Sequence, residues 1–141
     1  MLTRSQLASI PVKLGRKIYD LGAQIYLVGT TKVLKISPLM DIRTPSVITK
    51  VQNEVPAMVV RVLDHGEIQG QQRAHGRARY VWVLMERLRP AKVSMSQIRR
   101  LQTALANEGY DHTDLQPQNV MQGRNGELKV IDLESLVTKH H

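Results

Sequence analysis

Apolar positions recur along this chain with spacings that assign most of its elements. Ile25 to Val28 and Lys32 to Ile36 are short apolar runs separated by Gly29-Thr30-Thr31, which predicts two strands and a turn. Thr44-Pro45 offers a capping residue and then a proline suited to the first helical position. Val47, Val51 and Glu54 follow at spacings of four and three, predicting a helix that Pro56 limits. Met58 to Leu63 and Tyr80 to Met85 read as strands. Between them the polar, Gly-containing stretch from Gly70 to Arg77 reads as an exposed loop. Ser94 or Ser96 can cap a second helix running to Asn107, with Ile98, Leu101 and Leu105 at helical spacing and Gly109 as its stop. Val120-Met121 and Leu128 to Ile131 then read as a hairpin, with Asn125-Gly126 as the turn signal.

The polar residues between the second helix and the hairpin change the picture. They read His112-Thr113-Asp114-Leu115-Gln116-Pro117-Gln118-Asn119, and Ile131-Asp132 closes the hairpin. An Asp and an Asn five residues apart, with another Asp thirteen residues on, is the layout of a phosphoryl-transfer site. One carboxylate orients the acceptor hydroxyl. The amide and the second carboxylate supply the hard oxygens that Mg²⁺ requires against nucleotide phosphates. The hairpin is expected to return Asp132 to the side of Asn119. The competing reading is a polar turn whose Asp and Asn cap the backbone.

In the strand around Lys32 to Ile36, Val33 and Lys35 share a face. A lysine among apolar neighbours is costly unless its ammonium meets an anion. Glu54, at the end of an apolar helix face, is the expected partner. An edge-strand lysine facing water and a surface glutamate are the alternatives.

Together these residues resemble the protein-kinase-like fold over about residues 15 to 136, in a minimal form close to the aminoglycoside and choline phosphotransferases. The strong matches are His112-x-Asp114-Leu115-x-Pro117-x-Asn119 and Ile131-Asp132; Val33-Leu34-Lys35, Glu54 and Leu84-Met85-Glu86-Arg87-Leu88 are weaker ones. The resemblance implies an α+β domain spanning residues 1–141. Its small antiparallel β N-lobe with one helix would cover about 15–88. A truncated C-lobe of one helix, a catalytic loop and a β-hairpin would cover 89–141. It implies ATP and Mg²⁺ as cofactors. Lys35 would bind the α- and β-phosphates and pair with Glu54, Asp114 would be the catalytic base, and Asn119 and Asp132 would hold the metal. Gly22 would belong to the phosphate lid, Val33 and Met121 would sandwich the base, Met85 would precede the hinge, and the backbone of Glu86 and Leu88 would meet adenine. His112 would support the loop. The chain departs from the family where Gly22 is the sole glycine of the lid segment Leu21 to Val28, and where Glu134 replaces the glycine after the metal-binding Asp.

Composition narrows the remaining classes. The 141 residues suffice for one cored domain, and 42% hydrophobic content argues against global disorder. With no Cys, a disulfide scaffold and a thiolate metal site are excluded. Met1 to Lys13 lacks the apolar core of a signal peptide, and the run Val81 to Met85 is too short to span a bilayer, so a cytoplasmic protein is expected. The formal charge is +8, with Arg73, Arg77 and Arg79 close together. Three functions follow, in order. The first is a kinase-type phosphotransferase acting on an unknown acceptor, expected to be a protein. The second is a weak or inactive kinase-like module that grips a protein partner. The third is a nucleic-acid binder using Arg73, Arg77 and Arg79 with Arg99 and Arg100. A shortened C-lobe would leave apolar surface on the Ile98–Leu105 helix and near Leu133, Leu136 and Val137, which implies a partner or homodimer.

Overall fold

The computed structural model describes residues 2–21, 23–38, 44–73, 76–112, 115–133 and 136–138. Its contacts divide into two compact units, residues 1–45 with 62–87, and 46–61 with 88–141.

The first unit is a five-stranded antiparallel sheet of β1 (Lys17–Leu21), β2 (Ala23–Val28), β3 (Lys32–Pro38), β5 (Gly76–Glu86) and β4 (Val62–Arg73), in that order across the sheet. A short helix α1 (Arg4–Ala8) precedes them, capped at Thr3 by a reciprocal box with Gln6. On one face Leu34, Ile36, Trp82 and Leu84 join Tyr26, Ile68 and Ile10 in a buried cluster. Gly66 stands opposite Trp82, and a Cβ there would lie 2.7 Å from the indole Nε1. The glycine thus makes room for the largest side chain of this cluster.

The second unit contains α2 (Thr44–Glu54) from Ser46 onward, and α3 (Met95–Asn107). Ser94 caps α3 through a box with Gln97, and Gly109 follows with φ of 90°. Two small sheets complete the unit: β6 (Arg89–Pro90) with β8 (Val120–Gln122) and β9 (Leu128–Val130), and β7 (Tyr110–His112) with β10 (Leu136–Thr138). Val130, fully buried, exchanges backbone hydrogen bonds with Met58 and Val60.

Several elements differ from the sequence reading. Residues 58–61 are not a strand: Val59 makes an isolated bridge to Val130, and β4 begins only at Val62. The stretch from Gly70 is not a loop, because β4 runs to Arg73 and β5 resumes at Gly76. Its Gln-rich sequence lacks apolar alternation, so only the backbone ladder reveals it. On α2 the buried positions are Ile48 and Val51, continued by Val55 just past its end, a stripe displaced by one position from the expected Val47-Val51-Glu54 face. Ile98, Leu105, Leu133 and Leu136 are each at most 2% exposed, so the apolar surface expected at these four is absent. The side chain of Val137 lies outside the described residues.

Replacing Gly66 with Ala is expected to destabilise the chain by about 1–3 kcal/mol through overpacking. Thermal unfolding followed by fluorescence of Trp82, the single tryptophan, checks it. Ser94→Ala is expected to cost about 1 kcal/mol by urea denaturation, through loss of the cap.

Candidate functional site

Lys35 lies mid-strand in β3, paired with Ile25 on one side and Val83 on the other. Its neighbours Leu34 and Ile36 turn into the buried cluster, so Lys35 emerges on the opposite face, with Val33 two residues away. Val33 pairs with Leu27 and Met85. The first unit therefore brings Val33, Lys35 and Met85 to one sheet face, among Ile25, Leu27 and Val83, with Lys35 as its cation. Glu86, next in β5, pairs with Lys32, and the amide of Arg87 donates to the Thr31 carbonyl at 2.9 Å. Gly22, expected in the phosphate lid, lies outside the described residues.

In the second unit the polar loop is tied down by its backbone. Leu115 is buried, and a single 3₁₀ turn, Pro117–Asn119, leads into β8. The Asn119 amide donates to Gln116, while its carbonyl accepts from the Ile131 amide at 2.9 Å. Asp132 is thus one residue from a direct backbone bond to Asn119. The β8–β9 hairpin that achieves this closes through Gly126, whose amide donates to Gly123 and whose φ is 85°. The tight turn centres on Arg124-Asn125, with Gly126 as a left-handed bulge residue. The Asn-Gly signal was correctly placed, but the pair does not form a two-residue loop.

His112 closes the arrangement. It is 5% exposed, and its Nε2 lies 2.8 Å from the Asp132 carbonyl oxygen. A carbonyl only accepts, so Nε2 carries the hydrogen. The support role expected of His112 has this bond as its physical form. Asp114 lies outside the described residues. Leu88 is buried and sits two residues before Pro90, the strand partner of Met121. Met121 itself is half-buried.

Glu54 belongs to the second unit and Lys35 to the first. The partner seen for Glu54 is Tyr110, whose hydroxyl donates to Oε1 at 2.7 Å. The Lys50 ammonium stands 5.8 Å from the centre of the same ring. Burial first, and then the bond to Glu54, push the Tyr110 hydroxyl above its usual pKa of 10.0. Sequence reasoning missed Tyr110. The signal available was its place two residues before His112, on the inward side of a short strand.

Among the described residues no three His, Cys, Asp or Glu side chains cluster as a metal site. One carboxylate and one amide oxygen at adjoining backbone positions instead suit Mg²⁺, which keeps several waters and shares phosphate oxygens. By donor type alone, Asp132 and Asn119 are of the kind that ion accepts.

No family model matches the sequence, and no curated protein does. Solved structures do. The fold is similar to that of WbdD, described as a bifunctional kinase-methyltransferase. A co-crystal of WbdD with the kinase inhibitor LY294002 is 20% identical with a TM-score of 0.57, covering 89% of this chain and 33% of that one. Monomeric WbdD is 21% identical with a TM-score of 0.52, covering 83% and 33%. The chain thus spans about a third of the length of these proteins. At this identity the likeness is one of fold: α+β, with a five-stranded antiparallel sheet compatible with a kinase-like fold. Among the described residues no helix is long and apolar enough to cross a membrane.

Tyr110→Phe removes the hydroxyl bonded to Glu54, at an expected cost of about 1 kcal/mol. The sign of the pH dependence follows from the raised pKa. The hydroxyl's contribution is complete below the unfolded value of 10.0 and is lost as pH rises toward the folded value. Urea denaturation on both sides of pH 10 should show the gap between wild type and variant closing on the alkaline side.

Proposed function

We propose that this chain is a kinase-like phosphotransferase that uses ATP and Mg²⁺. The observation that carries the reading is the backbone clamp in the second unit. His112 holds the Asp132 carbonyl, and the Asn119 carbonyl accepts from Ile131, so the backbone holds the Asp132 segment beside Asn119. The apolar sheet face bearing Val33, Lys35 and Met85 supports it, as does the similarity in fold to a bifunctional kinase-methyltransferase.

In this reading Asn119 and Asp132 hold Mg²⁺. The metal neutralises charge that develops on the phosphoryl oxygens. Lys35 carries its ammonium to the α- and β-phosphates and takes Glu54 as a second partner. Asp114 accepts the proton of the acceptor hydroxyl. Val33 and Met121 bracket the adenine, Met85 precedes the hinge, and the backbone of Glu86 and Leu88 meets the adenine edge. Gly22 covers the phosphates. The acceptor is a protein hydroxyl, and the chain forms one minimal kinase-like domain.

A second reading is a kinase-like module that grips a protein partner without efficient catalysis. It is favoured by Glu54, whose carboxylate accepts from Tyr110 and so has a structural use that needs no nucleotide.

Calorimetry with Mg-ATP separates the two. Wild type is expected to bind only with Mg²⁺ present, and Asp132→Asn to bind at least about tenfold more weakly, a loss of ~1.4 kcal/mol. Equal affinity with and without the metal, or in both proteins, would remove the phosphotransferase reading.

A further inference from the structure

The β4–β5 pair serves no purpose in the phosphotransfer reading beyond Tyr80, yet it continues. β5 pairs with β3 from Lys32↔Glu86 to Pro38↔Tyr80. Past that point, among the described residues, β5 has β4 as its strand neighbour, through Gln69↔Arg79, Gln72↔Arg77 and Arg73↔Gly76. Among the described residues the two strands therefore continue as a two-stranded ribbon. At about 3.3 Å per residue, residues 69–73 extend roughly 16 Å. The register shifts between Gln69 and Gln72, a bulge that increases right-handed twist.

The ribbon's composition is one-sided. Between Ile68 and Tyr80 the sequence has Arg73, Arg77 and Arg79, three glutamines, and neither Asp nor Glu. Ladder pairing places Arg77 opposite Gln72 and Arg79 opposite Gln69, so cations and amides alternate across the two strands.

We propose that this ribbon is an arm that binds duplex DNA. A two-stranded β-ribbon enters the B-form major groove, which is about 12 Å wide. Arginine serves both phosphates and guanine edges, and glutamine matches adenine. The deep, narrow major groove of duplex RNA does not admit a ribbon. Single strands are gripped by stacking on aromatic rings, and the chain has no Phe, and no Tyr or Trp between Ile68 and Tyr80.

The test is fluorescence anisotropy of the full chain with labelled mixed-sequence duplex DNA at increasing NaCl. Three phosphate contacts predict a slope of roughly −3 for log affinity against log salt. Arg73→Gln, Arg77→Gln and Arg79→Gln together should remove most of that slope and weaken low-salt binding at least roughly tenfold. The matching triple Arg→Lys variant should keep the slope, which guards against a folding defect in the glutamine variant. Arg99→Gln with Arg100→Gln should leave it unchanged. Asp132→Asn should bind DNA like wild type, so failure of the nucleotide site and of the arm are distinguishable. The proposal is overturned if wild type ignores DNA at low salt, or if the glutamine triple keeps the full slope. It is equally overturned if duplex RNA or polyglutamate binds as tightly as duplex DNA.

Discussion

The hydrogen bond from His112 Nε2 to the Asp132 carbonyl is the constraint on which the polar loop of the second unit depends. A carbonyl that leaves a strand and enters a partly buried turn needs a donor, or folding forfeits its solvation. His112 supplies that donor from β7, whose own place is set by pairing with β10. Two chain segments twenty residues apart are thereby pinned at one atom. The Asn119–Ile131 bond sets the same region from the other side. Between them the bonds leave the backbone at Asp132 little freedom.

The first unit solves a different problem with the alternation of a strand. Leu34 and Ile36 fill the cluster around Trp82, and the pleat necessarily turns Val33 and Lys35 to the other face. Lysine is tolerated there because a strand residue cannot choose its face independently of its neighbours. Moving Lys35 by one position would put an ammonium among the side chains around Trp82, at a cost of several kcal/mol. The register with β5, anchored by Val33↔Met85 and Lys35↔Val83, is therefore strongly specified.

Glu54 illustrates how a carboxylate acquires a local use. At the end of α2 it accepts from Tyr110, a residue 1% exposed, while Lys50 one turn earlier faces the same ring. An acid and a base four residues apart thus both address one tyrosine, and α2 is fastened to the strand that carries His112. The fastening lies within a single unit and holds whether or not a nucleotide is used.

Much of this was legible in the sequence. The helix from Thr44, the cap at Ser94, the strands around Lys35 and the hairpin through Asn125-Gly126 follow from local rules: capping, period and turn chemistry act between residues close along the chain. The approach of the Asp132 segment to Asn119 was legible too, because a hairpin returns its second strand beside its first, although the turn centred on Arg124-Asn125 sets the register so that Ile131 bonds Asn119. Other features escaped, since their causes are distant in sequence. Tyr110 and Glu54 are fifty-six residues apart, and neither residue type announces the other. The β4–β5 ribbon is built of glutamine, glycine and arginine, whose propensities name a loop, and only backbone pairing with a partner strand makes it a strand. The burial of Ile98, Leu105, Leu133 and Leu136 depends on elements folding over one another. The sequence by itself determined the local elements and the order of the polar residues, because those interactions are short-range. Tertiary structure alone decided the partners of His112 and Tyr110, because a long-range hydrogen bond forms only after the chain has closed the loop between its ends.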